Sequence, residues 1–282
     1  MPSMKALKRR ITSVNNTQQI MKAMNLVAAS KVQKNKTKME AIRPMFLEAK
    51  DFMANGVYSN DVENDIFFAK SSGKRTAYIV VCGERGLCGS YNANVLKKAL
   101  EQMEGKEGEH IITVGAKCKE FFARRRKRMV ADYAGVLENV NYPVAEDIAQ
   151  RLMELYLSDD TEKRVDEIFI IYTQFETLLS QEPCAVKLLP FEPSPTSQKE
   201  IIYEPDVNIY LKKSVPVYLA MFIYGAMVES AVCEQASRMT SMDAASRNAG
   251  EIVDKLTLQY NRIRQGAITQ EISEIVGGAN AI

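Results

Sequence analysis

The sequence predicts an α/β fold in which a long antiparallel coiled coil of N- and C-terminal helices carries an inserted Rossmann-like α/β domain. Residues 3–43 contain no proline or glycine, and residues 217–282 contain no proline. Both stretches repeat apolar or small residues every seven positions, whereas the middle alternates β-branched runs with amphipathic segments. We expect the N-terminal coiled-coil helix over residues 1–60, the α/β domain over 70–200 and the C-terminal coiled-coil helix over 208–282.

The N-terminal stretch has the seven-residue spacing of a coiled-coil helix. Its seam positions are Leu7, Ile11, Val14, Gln18, Met21, Asn25, Ala28 and Val32. Ile20, Met24 and Val27 are expected to widen this apolar stripe. The C-terminal stretch repeats the spacing at Met239, Met242, Ser246, Ala249, Val253, Leu256, Tyr260, Ile263 and Ala267. A helix of about 60 residues would span about 90 Å. Because the two helices lie at opposite ends of the chain, they are expected to pair antiparallel.

The middle of the chain predicts alternating strands and helices. Residues 76–81 form a β-branched run that is followed by a glycine-spaced turn (83–90) and a helical pattern (91–103). Residues 110–115 predict a second strand, followed by a helical pattern through Phe121, and residues 144–157 predict an amphipathic helix. The strongest strand pattern covers 167–175, with 184–191 as its hairpin or edge partner, and the proline-rich residues 191–197 predict a linker.

Composition narrows the classes of function. The net charge of +2 does not indicate nucleic-acid binding, and a single histidine leaves little material for a histidine-rich metal site. Five cysteines without a CxxC pair fit buried thiols in a reducing compartment. The longest apolar run, 215–228, is too short for a membrane span and contains Pro216 and Gly225, so no insertion into the membrane is expected.

Two motifs leave alternatives open. Gly83, Gly86 and Gly89 follow a predicted strand, where dinucleotide folds hold a pyrophosphate, but their spacing is GxxGxxG instead of GxGxxG and no P-loop lysine follows. A structural turn is favoured over a nucleotide-binding α/β enzyme. The basic run 124–128 is interpreted as a solvated helix end in preference to a nucleic-acid patch.

The first helix is strongly basic. Its cations are Lys5, Lys8, Arg9, Arg10, Lys22, Lys31, Lys34, Lys36 and Lys38, and no acid occurs before Glu40. Acids of the last helix, such as Glu251, Asp254, Glu271 and Glu274, are expected to balance part of this charge. The remainder predicts an acidic partner or an anionic surface, and a solvated basic face is the alternative. A further hypothesis is a basic coiled-coil adaptor for a membrane or a nucleic acid.

Four motifs, two long and two short, resemble one family. Residues 11–32 (ITSVNNTQQIMKAMNLVAASKV) and the run from Ser237 to Ala281 resemble the terminal helices of the gamma subunit of F-type (rotary) ATP synthases. GERGLCGSYN (83–92) and YEPD (203–206) are similar to shorter motifs of that family. The resemblance implies a central-stalk rotor that transmits torque in a proton-translocating complex, has no catalytic residues, and binds no cofactor or metal of its own.

The same resemblance implies partners and contact residues. One copy per complex would contact the alpha and beta subunits of the catalytic hexamer, the epsilon subunit and the membrane c-ring, without binding nucleic acid. Lys22 and Met24 resemble the segment that faces the acidic lever loop of beta. The residues resembling the segment that contacts the beta catch loops are Arg264, Gln265, Thr269 and Glu271, and those resembling the ring contact are Tyr203 and Glu204. Because no cleavable leader is evident, we expect a bacterial protein on the cytoplasmic side of the plasma membrane, bound peripherally.

Overall fold

The computed structural model describes residues 3–55, 66–68, 75–106, 110–160, 164–191 and 206–279. The chain divides into two compact units. The coiled-coil unit comprises residues 1–29 and 238–282, and the sheet unit comprises residues 30–237. The elements are α1 (Met4–Asn55), β1 (Thr76–Val81), α2 (Tyr91–Met103), β2 (His110–Val114), α3 (Ala116–Arg124), β3 (Met129–Tyr133), α4 (Tyr142–Tyr156), β4 (Glu167–Phe175), β5 (Gln181–Leu189) and α5 (Val207–Ala279).

The coiled-coil unit confirms the antiparallel pairing of the two ends. Every seam position predicted in its parts of α1 and α5 is buried or half-buried. The Gln18 side chain donates to the carbonyl of Ser246 (3.1 Å), and Asn25 donates to the carbonyl of Met239 (2.8 Å). Seven residues forward along α1 thus correspond to seven residues backward along α5. Polar residues at seam positions specify register in coiled coils, so these two amides hold one alignment of the helices.

The apolar stripe on α1 is narrower than predicted. Ile20 and Val27 are 60% and 57% exposed, whereas Met24 is half-buried. Leu26 is also 71% exposed. The seven-residue seam alone faces α5, because two helices of a coiled coil cover only a narrow strip of each other. These exposed apolar side chains are therefore available to another surface.

The sheet unit has five strands in the order β3-β2-β1-β4-β5. Strands β1 to β4 pair in parallel, and β5 pairs antiparallel to β4, which confirms its predicted role as a hairpin partner. All side chains of β1 and β2 are buried, as expected for β-branched central strands with both faces covered. The sequence interpretation missed β3, whose alternating, half-exposed residues follow the basic run at the sheet edge.

Two apolar clusters cover the opposite faces of this sheet. Tyr78 and Val80 of β1 pack with α2 and α3, while Ile79 and Val81 pack with α4 and α5. This alternation follows the period of two in a strand, so one strand supplies both clusters. The arrangement confirms the expected Rossmann-like layering.

Both long helices continue through a proline. Pro44 lies inside α1 and Pro216 lies inside α5. Both helices are therefore longer than the proline-free stretches 3–43 and 217–282. A proline inside a helix costs about 3 kcal/mol. Burial of neighbouring side chains offsets that cost, since Phe46, Ala49, Val215 and Leu219 are buried in the larger cluster.

One stretch of α5 is apolar and long enough to cross a membrane, with a mean hydropathy of 1.6 over 18 residues. This differs from the sequence expectation. The observation is weak evidence for a span, because 67% of that stretch is buried inside the protein, as in the core helix of a soluble domain.

Candidate partner-binding surfaces

The carboxyl edge of the sheet is where a doubly wound fold would bind a ligand. The strand order reverses between β1 and β4, and ligands bind in the crevice at such a switch point. The glycine-spaced turn 83–90 follows β1 at this edge. Its backbone amides are therefore the groups that a phosphate would use.

A carboxylate of the protein itself occupies this turn. Glu234 of α5 is 2% exposed, and its two oxygens lie 3.4 Å from the backbone N–H groups of Glu84 and Arg85. Gly83 permits this approach, because a Cβ at that position would lie 2.8 Å from the Glu234 Cδ. The Gly83 amide donates to the Asn92 side chain at 2.8 Å. The turn's amides thus face an internal anion where a nucleotide phosphate would bind.

A second carboxylate ties three segments together. Glu84 accepts hydrogen bonds from the amides of Ala116 (2.9 Å), Gly135 (2.8 Å) and Leu137 (3.1 Å). Ala116 begins α3, so this acid also faces the positive end of a helix. Carboxylates that accept several amide protons make strong, charge-assisted hydrogen bonds. The turn after β1 is consequently fixed to both neighbouring loops.

Helix α5 contacts the turn through one face. The Tyr91 hydroxyl donates to the carbonyl of Ser230 at 3.1 Å, and the Ser237 hydroxyl donates to the carbonyl of Cys88 at 2.7 Å. Ser230, Glu234 and Ser237 are spaced by four and three residues, as required for one helix face. We call residues 83–91 together with 230–237 the sheet–helix joint. It fastens the sheet unit's carboxyl edge to its stretch of α5.

Sequence reasoning identified the turn but missed its partners. A signal for Glu234 was available, because it is an acid within the small and apolar part of α5 (219–236). Buried acids need hydrogen-bond donors, and a glycine-rich turn supplies them. No sequence pattern showed which turn would supply the donors.

The basic residues of the coiled-coil unit face outward. The side chains of Lys5, Lys8, Arg9, Arg10 and Lys22 are all exposed. Within residues 3–55 and 206–279, none of them forms an ion pair with Glu251, Asp254, Glu271 or Glu274, so direct ion pairs do not balance this charge between the helices. The seam brings apolar and amide side chains together and leaves the charged positions in solvent. Residues 3–29 contain these five basic residues and no acidic residue.

The end of α5 extends beyond α1 in the coiled-coil unit. From the register of Gln18 and Asn25, the start of α1 lies opposite about Tyr260. The predicted contact residues beyond that point, Arg264, Gln265, Thr269 and Glu271, are all exposed. The Thr269 hydroxyl donates to the Gln265 carbonyl, leaving its oxygen as an acceptor. Ile272, Ile275 and Val276 are 56%, 71% and 53% exposed. This segment, called the α5 tip (261–279), is therefore partly apolar and extends past the first residue of α1.

The remaining predicted site residues form a separate patch or lie elsewhere. Lys22 is exposed and Met24 is half-buried on α1, opposite a part of α5 that is about 22–31 residues, or about 33–46 Å, from the predicted contact residues 264–271. The structure therefore does not bring the two predicted groups together. Tyr203 and Glu204 lie outside the described residues.

The basic run ends α3, as predicted. Arg124 is the last residue of the helix, and residues 124–128 are all exposed. The Arg125 guanidinium lies 3.7 Å from the centroid of the Phe121 ring. In the part of the chain that the structure describes, no group of three His, Cys, Asp or Glu side chains could hold a metal ion.

Comparison with known proteins gives full-length relatives. A family model described as ATP synthase matches residues 3–282. The ATP synthase gamma chain of Heliobacterium modesticaldum is 38% identical over 293 residues, covering 100% of both chains. The sodium-ion-specific ATP synthase gamma chain of Acetobacterium woodii is also 38% identical, covering 98% of this chain and 97% of its own.

Solved structures show the same fold at lower identity. A chain of the Euglena gracilis mitochondrial ATP synthase, from a structure of its OSCP, F1 and c-ring, has a TM-score of 0.72 and 17% identity, covering 99% of this chain and 94% of its own. A chain from the central stalk and c-ring of the Tetrahymena thermophila enzyme has a TM-score of 0.61 and 23% identity, covering 80% and 99%. With relatives this similar over the whole length, the chain belongs to the ATP synthase gamma-chain family.

Proposed function

We propose that this chain, a central-stalk subunit of an F-type ATP synthase, is a non-catalytic rotor that transmits torque between a membrane c-ring and a catalytic hexamer of alpha and beta subunits. The observation that carries this proposal is the α5 tip, an exposed and partly apolar helix end with no α1 partner. An apolar helix end of this kind suits an apolar sleeve, where few directional bonds impose little angular preference.

Stiffness and asymmetry support the proposal. A torque-bearing element must hold one alignment under load, and the amides of Gln18 and Asn25 specify the register of the coiled-coil unit. It must also differ from side to side, because three chemically identical sites become different only through an asymmetric contact. Residues 3–29 carry five cations and no acid, whereas residues 238–279 carry both signs. The two helices therefore offer different surfaces.

The sheet–helix joint supports load transfer within the sheet unit. Glu234, Ser230 and Ser237 place three contacts on one face of α5, and Glu84 links the same turn to α3 and to the loop after β3. Torque entering through the sheet would pass to α5 through these hydrogen bonds. In this proposal the glycine-spaced turn transmits mechanical load to α5 and does not bind a nucleotide.

The rotor contacts are assigned by the family resemblance, and the exposure of all of them except the half-buried Met24 supports the assignment. Lys22 and Met24 would face the acidic lever loop of beta, and the α5 tip would contact the beta catch loops through Arg264, Gln265, Thr269 and Glu271. Each contact should be modest, because about 1.4 kcal/mol of additional binding slows escape from one orientation tenfold. Exposed side chains without internal ion pairs meet this requirement, since surface pairs contribute about 0–1 kcal/mol.

The base of the rotor and its surroundings follow from the same family. Tyr203 and Glu204 would face the polar loops of the c-ring, with the epsilon subunit bound to the sheet unit. One copy would enter each complex, attached peripherally to the cytoplasmic side of a bacterial plasma membrane. The coupling ion that we propose is the proton, with sodium as the alternative, because the Acetobacterium woodii relative is described as sodium-ion specific. Stimulation of ATPase activity in the reconstituted complex by Na⁺ would contradict the choice of protons.

The alternative function is a nucleotide-dependent enzyme built on the sheet unit. It would require the amides of the turn 83–90 to bind a phosphate. The carboxylate of Glu234 faces two of those amides, and a second negative charge beside it would be repelled. The geometry therefore favours the rotor.

Co-expression with alpha and beta subunits tests the proposed function. We expect native mass measurement to find one copy of this chain in a three-to-three complex and ATPase activity to rise strongly on its incorporation. The isolated chain should show no saturable ATP binding. Failure to join the hexamer, together with ATP binding that depends on the turn 83–90, would replace the rotor by the enzyme.

A further inference from the structure

A small cleft opens in the sheet unit between α1, α5 and the turn that follows β3. Its volume is about 90 Å³. Its floor is formed by the buried side chains of Leu137, Val140, Val228 and Ala231. Its rim carries the polar side chains of Lys31, Lys34, Asn35, Lys38, Glu138, Asn139 and Gln235. The cleft therefore has an apolar floor and a polar rim in which lysine and amide side chains are the hydrogen-bond donors.

Three ammonium groups share this rim. Lys31, Lys34 and Lys38 fall within an arc of about 60° on α1, because successive residues of a helix are rotated by about 100°. The Lys38 Nζ donates to the carbonyl of Val140 and lies 5.6 Å from the centroid of the Tyr224 ring, which leaves it two further protons. Lys31 and Lys34 form no ion pair with any residue that the structure describes.

The only acid on the rim is already paired. Glu138 accepts two hydrogen bonds from Arg85, at 2.7 and 3.0 Å. On the opposite face of α1, Glu40 lies 3.9 Å from Lys36. The three lysines therefore lack a counter-charge among the described neighbours of the cleft. Like charges on one helix face repel one another, so the folded chain gains stability from an anion placed among them.

We propose that this cleft binds a free tetrahedral oxyanion of the phosphate class. Lysine binds phosphate as a compact point charge with rotatable donors, and three lysines match an anion that carries about two negative charges near neutral pH. The amides of Asn139 and Gln235 supply further donors at the rim. A single carboxylate would leave two ammonium groups uncompensated. The binding site is independent of the rotor function and would exist in the isolated chain.

Lysine acetylation with an activated ester, followed by peptide mass spectrometry, tests the site in the full chain. Rates are compared in inorganic phosphate and in chloride at equal pH and ionic strength. Phosphate should slow acetylation several-fold at Lys31, Lys34 and Lys38. The exposed Lys5 and Lys8 of the coiled-coil unit should react equally in both solutions.

A matched pair of variants sharpens the test. Lys34→Gln should raise the phosphate concentration that half-protects Lys31 and Lys38 by about tenfold, because a charge-assisted hydrogen bond is lost. Lys8→Gln removes an exposed lysine of the coiled-coil unit that does not line the cleft, and it should change nothing. Lys34→Arg keeps the charge and should retain protection. Because wild-type protection is measured first, a misfolded variant does not remove the test.

Three outcomes would overturn the proposal. Equal acetylation of the cleft lysines in both solutions means that phosphate does not bind. Equal slowing of every lysine means general screening and no site. Protection of the three lysines in the complex with alpha and beta but without phosphate, and no protection in the isolated chain with phosphate, assigns the cleft to a partner's acidic side chain.

Discussion

At the scale of single residues, the protein uses two of its own carboxylates, the buried Glu234 and the half-buried Glu84, to accept backbone hydrogen bonds. Glu234 accepts backbone N–H groups of the glycine-spaced turn, which a nucleotide fold would offer to a phosphate, and Glu84 accepts the backbone N–H groups of Ala116 and Gly135. An acid placed among amide donors has its hydrogen-bonding capacity satisfied without a bound ligand. The same turn that could have been a ligand site thereby becomes a structural connection.

Glu234→Gln tests this connection. The substitution keeps the shape of the side chain but replaces one acceptor oxygen by a donor that faces backbone N–H groups. We expect the free energy of unfolding to fall by about 1–3 kcal/mol in chemical denaturation. Glu251→Gln, on the exposed surface of the same helix, is the control and should change it by less than about 0.5 kcal/mol. Equal effects of the two substitutions would contradict the joint.

Buried thiols predict a decline in stability at alkaline pH. Burial raises the pKa of Cys82 and of Cys233 well above the ordinary value of 9.0. Above about pH 9 the unfolded chain loses these protons while the folded chain retains them. The stabilisation is complete below that pH and decreases as pH rises, by about 1.4 kcal/mol per pH unit for each thiol.

Cys233→Ala should make this pH dependence shallower. The variant removes one of the two thiols, so its free energy of unfolding should fall less steeply between about pH 9 and 10 than that of the wild type. Its lower stability at neutral pH, from the lost side-chain packing, does not affect the comparison of slopes. Identical slopes would show that Cys233 ionises equally in both states.

At the scale of elements, helix packing overrides local propensity. Both long helices contain a proline, and α5 also contains Gly225 in its buried part. A Cβ on Gly225 would lie 2.5 Å from Cγ of the Phe46 ring and closer still to its Cδ2. Phe46 in turn packs on Phe222, with ring centroids 5.1 Å apart. The glycine is therefore required for the close approach of α1 and α5 in the sheet unit.

Two glycine substitutions in one helix should have opposite signs. Propensity alone predicts that alanine stabilises a helix by about 0.5–1 kcal/mol relative to glycine. Gly266→Ala should show this gain, because nothing lies within 4 Å of the added Cβ. Gly225→Ala should instead destabilise the protein by about 1–3 kcal/mol through overpacking. Urea denaturation of the two variants measures the difference.

Phe46→Leu provides a test of the cause. If the ring of Phe46 opposes the new methyl group, Gly225→Ala should cost less in the Phe46→Leu background than in the wild type. Additive effects of the two substitutions would place the strain elsewhere and contradict this account of the packing.

At the scale of the whole molecule, the proposed rotor depends on differences between the surfaces of α1 and α5 in the coiled-coil unit. The five cations of residues 3–29 are exposed, and the α5 tip presents apolar and polar side chains without an α1 partner. The coiled-coil seam below the tip contains most of the buried residues of its unit. Loss of the tip should therefore remove contacts with a partner but leave the charge asymmetry of the paired helices.

Removal of residues 271–282 tests that division. We expect the truncated chain to assemble less completely with alpha and beta subunits, while the complexes that form keep ATPase activity. Assembly is measured by the yield of the complex and turnover by ATPase activity per complex. A truncated complex that forms normally but has no ATPase activity would contradict the prediction.

The sequence alone determined the elements whose patterns are strong and local. The seam of α1 and α5, strand β1 and the β4–β5 hairpin follow from spacing and β-branched composition, because burial on one face imposes a fixed period. The family followed from long motifs at both ends. Strand β3 was missed since its short alternating pattern is half-exposed, and Ile20 and Val27 were misassigned because periodicity does not give the width of a contact.

Only the tertiary structure decided which distant residues meet. Glu234 lies 150 positions from Glu84, and no local pattern connects an acid on a helix to the amides of a particular turn. The same holds for the close approach of α1 and α5 at Gly225 and for the three lysines that line the cleft beside the turn after β3. Each of these contacts joins residues that are far apart in the sequence. Sequence periodicity indicates which face of an element is buried. The packing of complete elements determines which residues become partners and which remain on the surface.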